Sequence, residues 1–483
     1  MNTKHPLRKI KERYVWGGAG LLMLIIMCFA VVVPNAVAQS QESGQESKRL
    51  LSVFEDVYRF VLNNYVDQVD ADTLMEGALD GMFESLDDPY SDYLTKEEME
   101  DLNDTTTGKF GGVGMYISKY NPPEDDPEAL PAYIEIISPI EDTPAYRAGI
   151  HAGDFIMKIE EESTKPLSID EVQSRLRGEP GTEVTITILR NRKITKEVTL
   201  TRAVIEIPTV KQAMIKDDIA YLRIIQFTPY TPSRVREAIT FFEKEGYEHM
   251  IIDVRSNPGG LLNSVINTAD LFLSEGMIVS TKSRVPSENA QYTGNKFTAV
   301  QQSLPIYVLV DKGTASAAEI LAGALRDRDR AVVVGRTTYG KGSVQQVHSF
   351  SQGGFKLTMA RYYTPSGKNI DKVGIKPDVV VEEPELTEEQ LEDYNSLLEH
   401  RYIERFVADN TDPKNKEIDQ FIKRLEEKEI ELPERIVKRL VKNEVNRLME
   451  DSPIYNLEYD TILEKTVQMI EDGNGVNDGN SGN

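Results

Sequence analysis

Ser316 is the side chain best placed to act as a nucleophile. It follows the apolar run 306–311 (IYVLVD) and the turn Gly313-Thr314, and it opens a helical stretch over 316–326. A loop that leaves a buried strand and enters a helix is where open α/β sheets expose their ligand sites. The first helical N–H groups have no internal acceptor there and can stabilise an oxyanion. The same letters, Ser316-x-x-Glu319, also write a capping box, a structural role in which serine accepts from the helix and glutamate closes the reciprocal bond. Thr314 could serve as a substitute cap, leaving Ser316 to point outward. Spacing does not choose between the two.

A serine hydroxyl needs a base, and the usual one is missing. His151, His249, His348 and His400 sit in no signature that ties them to Ser316. A lysine can serve if desolvation lowers its pKa well below the reference of about 10.4. Lys341, in TTYGKGSVQQ after a buried strand, lies between Gly340 and Gly342, which let the backbone bend beside the amine. Gln345 is four residues on and could orient the amine through its side-chain carbonyl. GKG as a solvated surface turn explains the letters equally well. A phosphate-binding loop is a weaker third reading, because the GxxxxGK[ST] order is absent and Lys341 is followed by glycine. The stretch 253–260 (DVRSNPGG) ends a third apolar strand, and its glycine pair could bring a second backbone donor beside the amide of Ala317. A plain Asn-Pro-Gly turn is the alternative.

These residues need a scaffold. From 204 to 380 strand and helix signals alternate, as expected of crossover units on a helix-covered sheet. Residues 109–203 carry short β-branched runs between glycines, the pattern of a small partly open β-barrel with its own core. Residues 39–108 hold a polar linker and two helices: one from Leu50 with Val53, Phe54, Val57, Phe60 and Val61 on one side, and one over 72–86 burying Leu74, Ala78, Leu79 and Met82. The acidic, proline-rich stretch 121–131 reads as a loop. Residues 381–483, with 27 acids against 13 bases, read as peripheral helices or an oligomerisation arm over 391–407, 417–428 and 434–449, plus a frayed tail.

The 483-residue chain carries 79 acidic and 55 basic side chains, a formal charge of −24. That balance argues against a broad nucleic-acid surface. At its start five basic residues precede the uncharged run 15–33, and Ala36-Val37-Ala38 follows. Together these describe a secretory signal over 1–38, and the run is long enough for a retained anchor. The single cysteine, Cys28, lies inside it, so neither an internal disulfide nor a cysteine-based zinc site is expected.

FGGVG (110–114), AGIHAGDFI (148–156), IIDVRSNPGG (251–260), GTASAAEILAGALRD (313–327), GRTTYGKGSVQ (335–345) and GIKPD (374–378) resemble, in order, the motifs of the carboxyl-terminal processing proteases. These are serine endopeptidases with a Ser–Lys dyad and an inserted PDZ domain. The resemblance spans roughly residues 50–380. It implies a PDZ domain before a mixed α/β, ClpP/crotonase-like core, in a multidomain α+β chain. It assigns Ser316 as nucleophile, Lys341 as general base and Gln345 as the residue orienting the lysine. Oxyanion donors would come from Ala317 and the Gly259-Gly260 pair, and the amides of Gly112, Val113 and Gly114 would receive a substrate's terminal carboxylate. Glu319 matches the family's acidic helix residue. Where the family often writes SASASE, this chain has TASAAE, so Thr314 and Ala318 replace serines.

The expectation is therefore a protease of the bacterial cell envelope, periplasmic or otherwise extracytoplasmic, secreted or held by residues 15–33. It would cut flexible C-terminal protein tails without metal or cofactor, as a homo-oligomer or with an adaptor protein. The competing expectation is a PDZ-based scaffold whose hydrolase core packs but does not turn over.

Overall fold

The computed structural model describes residues 46–120, 122, 130–140, 142–190, 193–382, 386–449 and 453–473. The expected signal or anchor segment, most of the proline-rich loop and the C-terminal tail lie outside them. The chain divides into two compact units, residues 1–93 and 94–483.

In the first unit the two expected helices form, over 46–64 and Ala71–Glu84. Asp70 caps the second by accepting from the N–H groups of Asp72 and Thr73. The expected burial does not follow. Leu50, Val53, Phe54, Val57, Phe60 and Met82 are exposed, and the second helix buries only Phe83. Two short helices have too little facing surface to enclose a core.

The second unit opens with helix Lys96–Thr107, whose Thr95–Glu98 capping box is complete. An antiparallel ribbon, Lys109–Gly112 against Ala203–Glu206, then leads into and out of a small β domain. Strands Met115–Lys119, Ile134–Pro139, Phe155–Ile159, Glu183–Arg190 and Ile194–Thr201 pair antiparallel in that order. Helix Ile169–Leu176 closes over them, burying Val172 and Leu176 against Ile134, Ile136, Ile156, Ile186 and Ile188.

The larger core is a mixed sheet. Val210–Ile215 pairs antiparallel with Ile219–Ile224, and parallel neighbours follow in the order His249–Asp253, Ile306–Val310, Val332–Gly335 and Val379–Val380. The strands alternate faces with a period of two. Ala220, Leu222, Met250, Ile252, Val308 and Val310 pack against helices Thr231–Glu245, Leu262–Ala269 and Ala317–Asp327. Tyr221, Ile251, Tyr307 and Leu309 face the other way and are covered by helix Thr461–Glu471 through Ile462, Leu463, Val467 and Ile470. Sheets of parallel strands require cover on both faces, and here the cover comes from the far end of the chain. A second, antiparallel sheet includes Gly276–Lys282, Ala290–Gly294, Ser343–Phe350 and Gly353–Tyr363.

The C-terminal region departs from its sequence reading. The helix expected over 391–407 is two helices, Glu388–Glu399 and Tyr402–Asp409, broken at Arg401, whose φ of 52° is left-handed. Asn415–Glu426 and Glu434–Leu448 complete a helical arm around Leu397, Phe406, Phe421, Val437 and Val441. Helix Thr461–Glu471 is an integral layer rather than a peripheral one. Leu463→Ala should therefore destabilise the full-length chain by about 2–5 kcal/mol, read as a lower urea midpoint; an unchanged midpoint would return this helix to the surface.

Candidate active site

Three loops leave the carboxyl ends of strands His249–Asp253, Ile306–Val310 and Val332–Gly335 and are bonded to one another. Ala315 N–H donates to Asn257 O at 2.9 Å, and Tyr339 N–H to Thr314 O at 3.0 Å. Ser256 N–H donates to Asp311 Oδ1 at 2.8 Å. The Thr314 hydroxyl, fully buried, donates to Val254 O at 2.9 Å and accepts from Asp311 N–H at 3.0 Å. Thr314 is thus a tie between loops and not the substitute cap its position suggested.

Ser316 stands at the start of helix Ala317–Asp327 with φ 54° and ψ −117°. This is far from the extended backbone of an ordinary cap, and a non-glycine residue held there stores roughly 1–3 kcal/mol of strain. Its carbonyl accepts from Ile320 N–H at 3.1 Å, so the helix begins at this residue.

The conformation is held from the next turn. The side chain of Glu319 is fully buried, and its two oxygens collect four donors. Oε2 accepts from Ser316 N–H and from Lys341 N–H, each at 2.8 Å. Oε1 accepts from the Thr338 hydroxyl at 2.5 Å and from Gly340 N–H at 2.7 Å. Burial pushes the Glu319 carboxyl above the ordinary glutamate value, and the four donors oppose that shift. The expected capping-box bond from Ser316 N–H to Glu319 is therefore present, and the same carboxylate extends to the lysine loop. Because one oxygen binds both amides, the nitrogens of residues 316 and 341 lie no more than twice 2.8 Å apart.

Gln345 lies on strand Ser343–Phe350 beside a bulge between Val344 and Gln345. Its Nε2 donates to Ser343 Oγ at 2.8 Å and to Thr358 Oγ1 at 3.2 Å, which fixes the amide and reserves Oε1 as an acceptor.

Gly259 (φ 104°) packs against the Ser316 loop: a Cβ there would sit 2.7 Å from Ser316 Cβ and 3.0 Å from Ala317 N. Its own N–H is engaged, donating to Asn257 Oδ1 at 2.8 Å. The oxyanion role expected of Gly259 therefore does not fit its amide, although its missing side chain is needed. Gly260 (φ 136°) has no room for a side chain either, since a Cβ would meet Phe227 O at 2.2 Å. Asn257, fully buried, also donates from Nδ2 to Ile224 O at 2.8 Å. Ala317 N–H, at the first helical position, has no acceptor within its helix.

Behind these loops lies a network that the local sequence pattern missed. The Arg255 guanidinium binds Asp253 through Nε at 2.9 Å and Nη2 at 2.6 Å, and Asp460 through Nη1 and Nη2 at 2.6 Å each. Tyr221 OH donates to Asp253 Oδ2 at 2.6 Å. Burial opposes charge on Asp253, but Arg255 outweighs it and holds the carboxyl below the ordinary aspartate range. Asp253 and Arg255 were visible as letters; Asp460 lies 205 residues beyond Arg255 and no local spacing points to it.

Gly112, Val113 and Gly114 lie in the small β domain, at a groove of about 300 Å³ lined also by Met115, Ile117, Ile169 and Gln173. Val113 turns its side chain into the domain core, leaving Met115 and Ile117 as apolar walls. Among the described residues no group of three or more His, Cys, Asp or Glu could hold a metal ion, and no helix is long and apolar enough to cross a membrane.

A serine at a strained helix start, a lysine loop bonded to the same carboxylate and a separate groove are what this multidomain α+β chain brings to the class that its sequence matches define: serine peptidases with a PDZ-like domain. The sequence matches Peptidase family S41 over residues 218–381, a PDZ domain over 135–190 and the activating protease CtpB N-terminal domain over 22–98. It is 38% identical over 365 residues to the carboxy-terminal-processing protease of Bartonella bacilliformis, covering 73% of this chain and 80% of that one. It is 33% identical over 368 residues to a probable CtpA-like serine protease of Staphylococcus aureus, covering 76% and 71%. The solved photosystem II D1 C-terminal processing protease is 28% identical, with 68% of this chain and 86% of that one covered at a TM-score of 0.41. The chain belongs to the carboxy-terminal-processing proteases, and it is a serine endopeptidase whose PDZ domain binds C-terminal peptide tails.

Two substitutions test the site's construction. Glu319→Gln keeps the shape but turns an NH₂ toward N–H donors. It should lower kcat by about 10²-fold, as a misplacement of order 1 Å does, with circular dichroism unchanged. Gly259→Ala should abolish labelling of Ser316 by a fluorophosphonate, and labelling at the wild-type rate would show that the close approach is unimportant.

Proposed function

We propose that Ser316 is the nucleophile and Lys341 the general base of this peptidase. The observation that carries the assignment is the Glu319 carboxylate, which binds the amides of both residues through one oxygen. The neutral Lys341 amine takes the proton of Ser316 Oγ as it attacks the scissile carbonyl carbon. The oxyanion forms against the N–H groups of Ala317 and Gly260. Lys341 then protonates the leaving amine, and water resolves the acyl-enzyme by the reverse path. Gln345, held by Ser343 and Thr358, orients the amine through Oε1. The reaction uses neither metal nor cofactor.

Substrate enters as an unstructured tail. Its last residues add as a β-strand beside Met115–Lys119, with the terminal carboxylate on the amides of Gly112, Val113 and Gly114. Apolar terminal side chains fit a groove walled by Met115, Ile117 and Ile169. We take residues 109–203 as the PDZ domain and 204–380 as a ClpP/crotonase-like core, between helical flanks 39–108 and 381–483. The basic start and apolar run 15–33 support a location in the bacterial cell envelope, exported or anchored. The exposed apolar side chains of helix 46–64 support assembly with a second copy or an adaptor.

The test is intact-mass analysis of a disordered protein with an apolar C terminus, incubated with each variant. Ser316→Ala should leave it uncut. Lys341→Ala should lower kcat by about 10²–10⁴-fold while tail affinity stays unchanged. Wild-type cleavage by Lys341→Ala would remove the dyad.

A further inference from the structure

The described helices beyond residue 386 have no assigned role, yet their contacts divide into two kinds. Toward the peptidase core the attachment is apolar and continuous: helix Thr461–Glu471 shares a core with Tyr221, Ile251, Tyr307 and Leu309. It is fastened there by the Asp460–Arg255 pair and by Tyr455 OH donating to Met214 O at 3.2 Å. Toward the PDZ domain no shared apolar core exists among the described residues. The PDZ domain and the four-helix arm Glu388–Leu448 each close their own.

What joins those two is a buried charge cluster. Glu135, on PDZ strand Ile134–Pro139 and 6% exposed, binds Arg401 Nη2 with Oε1 at 2.8 Å and Oε2 at 2.7 Å. Arg447 Nη2 lies 3.8 Å from the same carboxylate, and Arg447 Nη1 donates to Ile137 O at 3.1 Å. The Arg401 guanidinium also sits over the Tyr120 ring, 5.1 Å from its centroid. Arg401 is the left-handed residue that breaks the helix expected over 391–407. A non-glycine residue persists in that conformation where its surroundings hold it, and the grip of Arg401 on Glu135 supplies such a hold.

The gripped strand is the immediate neighbour of the groove strand, with Glu135 opposite Ser118. The PDZ domain's other ties are slighter. Among the described residues they include the two-stranded ribbon, whose Glu206 pairs with Arg234 of the core helix, and the pairing of Arg177 with Asp101 and Asp104 on helix Lys96–Thr107. A two-stranded ribbon alone is a weak positioning device, whereas hydrogen-bonded buried ion pairs fix geometry more than they add stability.

We infer that the C-terminal arm is a bracket that holds the PDZ groove at a set distance from Ser316, with Glu135, Arg401 and Arg447 as positioning residues that decide where along a bound tail the first cut falls. The inference rests on the dyad and tail-binding reading given above. An extended tail advances about 3.3 Å per residue, so a shift of the groove by a few ångströms moves the cut by one or two residues.

The experiment uses the full-length chain and a disordered protein with an apolar C terminus, stopped at low conversion, with first products identified by mass. The wild type should cut within a narrow window counted from the substrate's C terminus. Arg401→Glu, which faces one carboxylate with another, should widen or displace that window by two or more residues, while fluorophosphonate labelling of Ser316 stays within twofold of wild type. Arg401→Lys, which keeps the positive charge beside Glu135 and Glu404, should leave the window closer to that of the wild type than Arg401→Glu does. If Arg401→Glu does not fold, Arg401→Gln decides in the same way. An unchanged window overturns the bracket and leaves the peptidase reading intact. Absence of both cutting and labelling in the wild type overturns the peptidase reading instead.

Discussion

A single buried carboxylate determines whether this site exists. Glu319 receives donors from the start of its own helix and from Thr338, Gly340 and Lys341 of a loop belonging to another strand. Hydrogen bonds to an ionised acceptor are roughly twice as strong as neutral ones, and here they act where water is excluded. The two loops share a backbone bond besides, from Tyr339 N–H to Thr314 O. Removing the carboxylate would leave four buried donors unmet, and a buried donor without a partner is what a folded chain avoids most consistently. The bond from the Ser316 N–H to Glu319 is one of the contacts that hold its strained backbone in place.

Around this centre the scaffold repeats one device, a polar side chain joining two loops at the carboxyl edge of the sheet. Asn257 ties its own loop to Ile224 and to Gly259. Thr314 ties the nucleophile loop to Val254. Arg255 ties the glycine-pair loop to Asp460 beside the last described helix. The glycines at 259 and 260 serve close approach rather than flexibility, since each has a neighbour where a Cβ would go. A reaction that develops negative charge on one oxygen benefits from such fixed dipoles, because they need not reorganise when the charge appears.

Much of this was legible in the letters. The alternation of apolar runs between 219 and 335 located the parallel strands closely, because both faces of such a strand are buried and its residues must be apolar throughout. The Ser316-x-x-Glu319 spacing was also visible, but a pattern of four residues cannot show that the same glutamate reaches residues 338–341. Strand Ser343–Phe350 was missed because it is polar and half-exposed, so its pairing with Gly353–Tyr363 left no periodic trace. Helix Thr461–Glu471 was passed over in a region whose charge suggested a surface. The break at Arg401 was unreadable for a different reason: its partner, Glu135, stands 266 residues away. Short-range chemistry was written locally, and the ties between domains were not.

The placement of helix Thr461–Glu471 has a consequence for biosynthesis. Until the ribosome has made those residues, Tyr221, Ile251, Tyr307 and Leu309 face solvent, and Arg255 lacks the second acid that steadies the loop next to Ser316. A nascent copy is therefore an unfinished enzyme. That sheet face closes, and the Asp253–Arg255–Asp460 network is complete, only once helix Thr461–Glu471 has docked.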